Sequence, residues 1–141
     1  MGKANVVAIV LCLLPVAAAA ADLSGPARAI DGDTIRIGET SVRIWGIAAP
    51  ERSEPGGRQA TAAMADLLAR GPVSCLDSGS RSHGRVVAAC TVAGVDVGGA
   101  MVASGWARDC PGYSGGVYGA VEARAVRRVE YPLPGYCEVK R

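Results

Sequence analysis

The sequence has 141 residues, of which 50% are hydrophobic and 20% are charged, and these proportions exclude an intrinsically disordered chain. The formal net charge of +2 is too small to indicate nucleic-acid binding by long-range attraction. Aromatic residues make up only 4% and Phe is absent, so we expect a core of aliphatic side chains with Trp45 and Trp106 as its two large members.

The first 21 residues are predicted to be a secretory signal sequence. One lysine precedes residues 6–21, which contain no charged side chain and end in a run of alanines. A membrane anchor is the alternative, but a span needs about 20 apolar residues and Pro15 lies inside this stretch. We expect cleavage after Ala20 or Ala21, which leaves residues 22–141 as a single periplasmic or secreted domain without a membrane span.

Four cysteines remain after such a cleavage, and four cysteines in an exported domain predict two disulfide bonds. Three pairings are possible. We favour Cys75–Cys90, across two neighbouring strands, and Cys110–Cys137, which would tie down the C-terminal tail. A metal site is the weaker interpretation, because no Cys-x-x-Cys spacing occurs and the chain has one His.

Apolar and polar side chains alternate over residues 33–37 and 42–47, and the short connection between them predicts a β-hairpin. The remaining predicted elements, in chain order, are a loop at 50–57, a helix at 58–70, strands at 73–76 and 85–92 joined by a polar turn, a helix at 97–104, a Gly-rich loop at 111–116 and a helix at 117–129. This order predicts an α+β fold, a five-stranded β-barrel of the oligonucleotide/oligosaccharide-binding (OB-fold) type with three α-helices.

The densest polar cluster is Asp31-Gly32-Asp33-Thr34, which leads into the first strand of the hairpin. Two carboxylates flanking a glycine can supply oxygen ligands to Ca²⁺. The Asp-Gly pair is also common in turns, and this segment taken alone favours a turn over a Ca²⁺ site.

Two arginines and one glutamate are candidates for binding or catalysis. Arg43 lies within an apolar strand and Arg85 opens another, and a guanidinium there is costly unless it meets an anion or emerges at a barrel edge. Glu51 follows Pro50 at the start of a loop, where a carboxylate can act as a general base. A surface charge is the alternative for Glu51 and Arg85, and His83 is typical of an exposed turn.

The clusters together are more specific than any one of them, and the pattern resembles the staphylococcal-nuclease-like (thermonuclease) family over residues 28 to about 130. The matching segments are Asp31-Gly32-Asp33-Thr34-Ile35, Val42-Arg43-Ile44 followed by Ala49-Pro50-Glu51, His83-Gly84-Arg85-Val86-Val87-Ala88, and Gly105-Trp106-Ala107. The resemblance implies a Ca²⁺-dependent phosphodiesterase acting on DNA and RNA, on a five-stranded barrel with three helices.

The resemblance also implies a set of metal ligands. Asp33 matches a metal-binding carboxylate and Ala49 matches a residue that binds the metal through its backbone carbonyl, with Asp31 as an additional candidate. Ala48 stands where the family carries a second metal carboxylate. Because Ca²⁺ affinity depends on the number of charged ligands, we expect much weaker Ca²⁺ binding.

The same resemblance implies the substrate contacts. Arg43 and Arg85 match two phosphate-binding arginines, and Glu51 matches the carboxylate that positions or activates the attacking water. Tyr113 is a weaker match to a nucleotide contact. The leading hypothesis is therefore an exported, monomeric nuclease acting on single-stranded DNA or RNA. The alternatives are a catalytically weak or inactive nucleic-acid or polyanion-binding module, and a structural domain in which Arg43 pairs with Glu51.

Overall fold

The computed structural model describes Gly2 and residues 23–140, so the predicted signal sequence and its cleavage point lie outside the described residues, apart from Gly2. In this part of the chain the strands are β1 (Leu23–Gly25), β2 (Ala27–Ala29), β3 (Thr34–Ile37), β4 (Thr40–Ile44), β5 (Ile47–Ala48), β6 (Val73–Ser82), β7 (Arg85–Val92), β8 (Val95–Asp96) and β9 (Arg108–Asp109). The helices are α1 (Gly57–Leu68), α2 (Val97–Ala103), α3 (Pro111–Ser114) and α4 (Gly119–Arg124), and one 3₁₀ turn spans Gly135–Cys137.

The strands form one large sheet and one small one, which confirms the predicted α+β class. The large sheet has the order β1-β6-β7-β4-β3-β2, with β8 paired to β7, and β5 pairs with β9 in the small sheet. Neighbouring strands are antiparallel except for β4 and β7, which are parallel. β1 and β2 lie at opposite ends of this order, although only Pro26 separates them in the chain.

The strand after α1 is longer than the sequence predicts. We expected a strand at 73–76 and a polar turn after it, but β6 continues to Ser82 with a register shift between Asp77 and Arg81. The turn is confined to His83 and Gly84, which both have positive φ. Pairing with β7 and a salt bridge between Asp77 and Arg81 (3.0 Å) support the extra residues despite their weak strand propensity.

Two predicted helices are confirmed and the C-terminal helical prediction is wrong in detail. α1 buries one apolar face, and Asp96 caps α2 by accepting a hydrogen bond from the Gly99 N–H (3.0 Å). The expected loop at 111–116 instead contains α3, because Pro111 suits the first position of a helix. The expected helix at 117–129 is reduced to α4, because the backbone becomes extended at Ala125. The described chain therefore has four helices rather than three.

The core is aliphatic, as expected, but neither tryptophan lies at its centre. The largest fully buried apolar side chains include Ile35, Ile44, Met64 and Met101. Trp45 and Trp106 are only partly buried and pack against this core from outside.

Both favoured disulfide bonds are confirmed. Cys75 and Cys90 lie directly opposite each other in the β6–β7 pair, and Cys110–Cys137 joins the residue before α3 to the C-terminal 3₁₀ turn. Of the helices described here, none is long and apolar enough to cross a bilayer.

Replacing Cys75 and Cys90 together by Ala should lower the free energy of unfolding by about 3 kcal/mol, because the bond closes a loop with a sequence separation of 15. Urea denaturation followed by circular dichroism measures this loss. The matched control is Ser74→Ala/Thr91→Ala, an exposed pair at the neighbouring position of the same two strands, which should change stability by less than about 0.5 kcal/mol. Equal stability of parent and cysteine variant would contradict the prediction.

Candidate functional site

Residues 31–34 form a tight turn that enters β3. The backbone N–H of Asp33 donates to Oδ1 of Asp31 (3.0 Å), which closes the turn locally. Gly32 is required at its centre, because a Cβ atom there would lie 2.7 Å from the Cβ of Ala49. The turn therefore packs directly against the start of the next loop.

Asp33 is buried and accepts hydrogen bonds at both carboxylate oxygens. Oδ2 accepts from the Ala49 N–H (2.8 Å) and pairs with Arg43 Nη1 (2.5 Å), and Oδ1 accepts from the Thr34 hydroxyl (3.1 Å). Burial raises the pKa of Asp33 to about 7, the positive charge of Arg43 opposes that rise, and the negative charge of Asp31 adds to it. Burial and the charge of Arg43 therefore act in opposite directions on this carboxyl group.

Arg43 lies in β4 directly opposite Thr34, and its guanidinium is held from several sides. Besides the ion pair with Asp33, Nη1 donates to the Asp33 carbonyl (3.3 Å) and Nη2 donates to the Ile47 carbonyl (2.9 Å). The residue is buried, so these contacts offset the cost of removing its charge from water. Its ion-pair partner is Asp33, not Glu51 as the structural-domain hypothesis assumed.

Arg85 is brought to the same place by the parallel pairing of β4 with β7. Arg43 is in register with Val87, and Arg85 lies two residues earlier, on the same face of its strand. Its Nη1 donates to the Thr34 hydroxyl (2.9 Å), and its Nε donates to the Ser82 carbonyl (3.1 Å). Thr34 therefore links the two arginines, since its hydroxyl also donates to Asp33.

Glu51 is exposed at the start of the loop that leads to α1. The pKa of Glu51 is raised, first by partial burial and then by the negative charge of Asp31, while Arg85 lowers it. The loop is held tightly against the helix, because a Cβ atom on Gly57 would lie 1.8 Å from the Glu51 carbonyl oxygen. A carboxylate near two other charged groups and open to solvent can accept a proton from water.

Four of the predicted residues line one cavity of about 630 Å³: Arg43, Glu51, Arg85 and Tyr113. His83 also lines it, from the exposed turn in which the sequence placed it. Asp31 and Asp33 do not line the cavity but lie directly behind it, where they interact with Glu51 and Arg43 respectively.

Tyr136 is a cavity residue that sequence reasoning missed. Its ring lies 6.4 Å from that of Tyr113, at an interplanar angle of 60°, and both rings are more than half exposed. The Cys110–Cys137 bond holds the two together, because Tyr136 precedes Cys137 and Tyr113 follows Cys110 by three residues. The favoured disulfide pairing was therefore a signal that could have located Tyr136.

Ala48 lies in a small apolar cluster. Its side chain is fully buried with Cys110 and Cys137, and partly buried Tyr131 and Leu133 pack against the same cluster. The Cys110–Cys137 disulfide therefore covers the position at which the resemblance would place a metal carboxylate.

The turn before β3 contributes two carboxylates, Asp31 and Asp33, as the predicted ligands of a cation. Across the described residues, no three His, Cys, Asp or Glu side chains are grouped to hold a metal ion. Asp31 and Asp33 nevertheless lie close enough for the charge of one to raise the pKa of the other, and a divalent cation would relieve that repulsion. The N–H of Ala49 bonds to Asp33, and its carbonyl stays a predicted ligand.

No protein-family model matches this sequence, and no curated protein matches it.

Replacing Arg43 by Met should lower the free energy of unfolding by about 3 kcal/mol at pH 8, because it leaves Asp33 buried without its partner. Since the folded-state pKa of Asp33 is raised, its contribution to stability is present at low pH and is lost as pH rises through about 7. Removing the opposing charge of Arg43 strengthens this effect, so the loss should be smaller at pH 5. Denaturant unfolding at both pH values measures the difference. The control Asp33→Asn/Arg43→Met lacks the titrating carboxyl, so its deficit relative to the parent should not grow from pH 5 to pH 8. A deficit in Arg43→Met that does not grow over the same range would contradict the assignment.

Proposed function

We propose that this protein is an exported nuclease of the thermonuclease type that hydrolyses phosphodiester bonds in single-stranded DNA or RNA. The observation that carries the proposal is that Arg43, Arg85 and Glu51 line a single cavity although they come from three separate segments of the chain. Two guanidinium groups suit a phosphodiester, and a solvent-accessible carboxylate beside them suits activation of water.

The strand order supports an OB-type barrel for the large sheet. β1 pairs with β6 at one end of the order and β2 pairs with β3 at the other, and the two strands are consecutive in the chain. We propose that β1 and β2 act as one strand, bent at Pro26, that closes a barrel with β3, β4, β7 and β6. Barrels of this type commonly bind oligonucleotides on one face.

The proposed chemistry uses the charged groups of the cavity. Arg85 and Arg43 would bind the non-bridging oxygens of the phosphodiester and stabilise the charge that grows on them as water attacks phosphorus. The bond from phosphorus to one sugar oxygen would break, and that oxygen would leave as a hydroxyl after taking a proton from solvent. Glu51 would take the proton of that water, and its raised pKa makes it a better base near neutral pH. Asp33 would keep Arg43 in position, since it contacts the guanidinium from behind.

Ca²⁺ is the proposed cofactor, bound weakly by Asp31 and Asp33 with the carbonyl of Ala49 as a further ligand. When bound, Ca²⁺ would polarise a phosphate oxygen. The two neighbouring tyrosines that line the cavity, Tyr113 and Tyr136, have exposed rings on which an unpaired base can stack, which favours single strands as substrate.

Export and a monomeric state remain part of the proposal. Two disulfide bonds are typical of an oxidising compartment, which supports the periplasm or the exterior of the cell.

A nucleic-acid-binding module is the second candidate, and one observation favours it. Arg43 already has an anionic partner in Asp33, and position 48 offers a methyl group in place of a carboxylate. Such a site could bind a strand through Arg85 and the tyrosines without cleaving it.

Replacing Glu51 by Gln should reduce kcat on single-stranded DNA by about 100-fold or more while KM stays similar, because the substitution removes the base and keeps the shape of the side chain. The rate of the parent should rise with pH through the raised pKa of Glu51, since only the charged form accepts a proton. Glu39→Gln, an exposed substitution in the β3–β4 turn, is the matched control and should retain full activity. Binding without turnover by the parent would favour the module instead.

Replacing Ala48 by Asp should make the protein respond more strongly to Ca²⁺. Without the ion we expect a lower Tm, because a carboxylate enters an apolar cluster beside the Cys110–Cys137 bond. With millimolar Ca²⁺ the variant should gain more in Tm than the parent, because a ligand that binds the native state stabilises it. Thermal unfolding with and without Ca²⁺, with Mg²⁺ as the control ion, measures both. A variant whose Tm is lowered equally in all conditions would mean that position 48 is not a ligand position.

A further inference from the structure

We propose that a second phosphate-binding site lies in a groove between β2 and α1 and binds the backbone of a nucleic-acid strand outside the bond that is cleaved. The groove has a volume of about 550 Å³, and its charged lining consists of Arg28 from β2, Arg52 from the loop after Pro50, and Arg58 from α1. We call it the arginine groove. The proposal rests on the proposed function for the identity of the strand.

The positive charge of the arginine groove has no partner within the described part of the chain. None of the salt bridges found there includes Arg28, Arg52 or Arg58, and all three residues are exposed. Three guanidinium groups around one concave surface repel one another, and an anion bound between them would remove that repulsion.

The neighbouring strand β3 places another arginine, Arg36, next to Arg28, although Arg36 does not itself line the groove. Arg28 lies directly opposite Arg36 in the antiparallel β2–β3 pair, where side chains start about 5 Å apart. Like charges in this arrangement are destabilising. The Nε of Arg36 is also buried without a hydrogen-bond partner, the one such side-chain atom among the described residues. Arg36 Nη2 donates to the Ser41 hydroxyl (3.3 Å), a neutral partner that does not cancel the repulsion between the two facing arginines. An anion bound at Arg28 would reduce that repulsion.

The shape and chemistry of the lining favour phosphate groups. The floor consists of small side chains, among them Ala29, Thr61 and Ala65, so the long arginine side chains stand above it and can converge on a ligand. The planar guanidinium fork matches the spacing of phosphate oxygens and can bind two of them at once.

The arginine groove lies next to the cavity, so a single nucleic-acid strand bound in the cavity can extend into the groove. Glu51 lines the cavity and the next residue, Arg52, lines the arginine groove, so the two concave surfaces meet at one loop. A strand with one phosphodiester at Arg85 could continue across this loop to the groove. The arrangement predicts a preference for long strands over dinucleotides, because only a long strand occupies both sites.

The test measures affinity for two lengths of single-stranded DNA by fluorescence anisotropy over a series of salt concentrations, using the oxidised full-length mature protein. The probes are a labelled dinucleotide and an oligonucleotide of about 12 nucleotides. The groove variant is Arg28→Gln/Arg58→Gln, and the matched control is Arg124→Gln/Lys140→Gln, which removes two exposed charges elsewhere. Arg85→Gln serves as the cavity variant, and circular dichroism verifies that each variant is folded.

We expect the groove variant to bind the long oligonucleotide about tenfold more weakly than the parent, and the slope of log affinity against log salt should become shallower by about one for each phosphate that the variant no longer binds. Its affinity for the dinucleotide should be unchanged, and the control should match the parent. If the groove variant binds the long oligonucleotide like the parent while Arg85→Gln weakens both probes, the groove proposal fails and the proposed function stands. If only the groove variant weakens binding, the groove proposal stands and the proposed function fails.

A second experiment distinguishes binding of a nucleic-acid strand in the arginine groove from binding of free phosphate. Inorganic phosphate titrated against the complex should compete only at concentrations where salt alone has the same effect. Competition at lower concentrations that is abolished in the groove variant, together with equal affinity for both DNA lengths, would identify a site for free phosphate and overturn the strand proposal.

Discussion

The ion pair between Asp33 and Arg43 is the interaction on which the candidate site depends. It joins the turn before β3 to the middle of β4, and the same carboxylate accepts the Ala49 N–H and so positions the loop that carries Glu51. Removing either charge leaves the other buried without compensation, which is far more costly than losing an exposed pair. Arg43 therefore has a structural role as well as its proposed role in binding phosphate. A loss of activity on its replacement must be interpreted together with a loss of stability.

The charged groups around this pair shift the pKa values of the two carboxyl groups Asp33 and Glu51. Asp31 raises the pKa of both Asp33 and Glu51, while Arg43 and Arg85 act in the opposite direction on one carboxyl each. Asp33, which is buried, is suited to holding a guanidinium or sharing a cation. Glu51, which is exposed, is suited to proton transfer. Similar residues thus take different roles because their exposure to water differs.

Local sequence patterns predicted much of this structure. The alternation of apolar and polar residues located the β3–β4 hairpin, and the apolar stripe located α1. The oxidising compartment expected for an exported chain, together with the predicted positions of the strands, led to both disulfide bonds. The errors arose where long-range contacts override local preference. Pairing with β7 extends β6 through a Ser- and Gly-rich segment, and α4 ends at Arg124, after which the Arg128 N–H bonds to Gly105. The burial of Ala48 and the position of Tyr136 beside Tyr113 depend on where a distant cysteine lies, and no local sequence pattern contains that information.

The Cys110–Cys137 bond also has a consequence for timing. Cys137 follows Cys110 at a sequence separation of 27, so this bond can form only after both cysteines have been synthesised and have met an oxidant. Until then nothing covalent holds Tyr136 next to Tyr113, and the apolar cluster around Ala48 is not closed by a disulfide. A polypeptide in which this bond is still reduced would therefore lack the fixed pair of tyrosine rings that the proposed substrate surface uses.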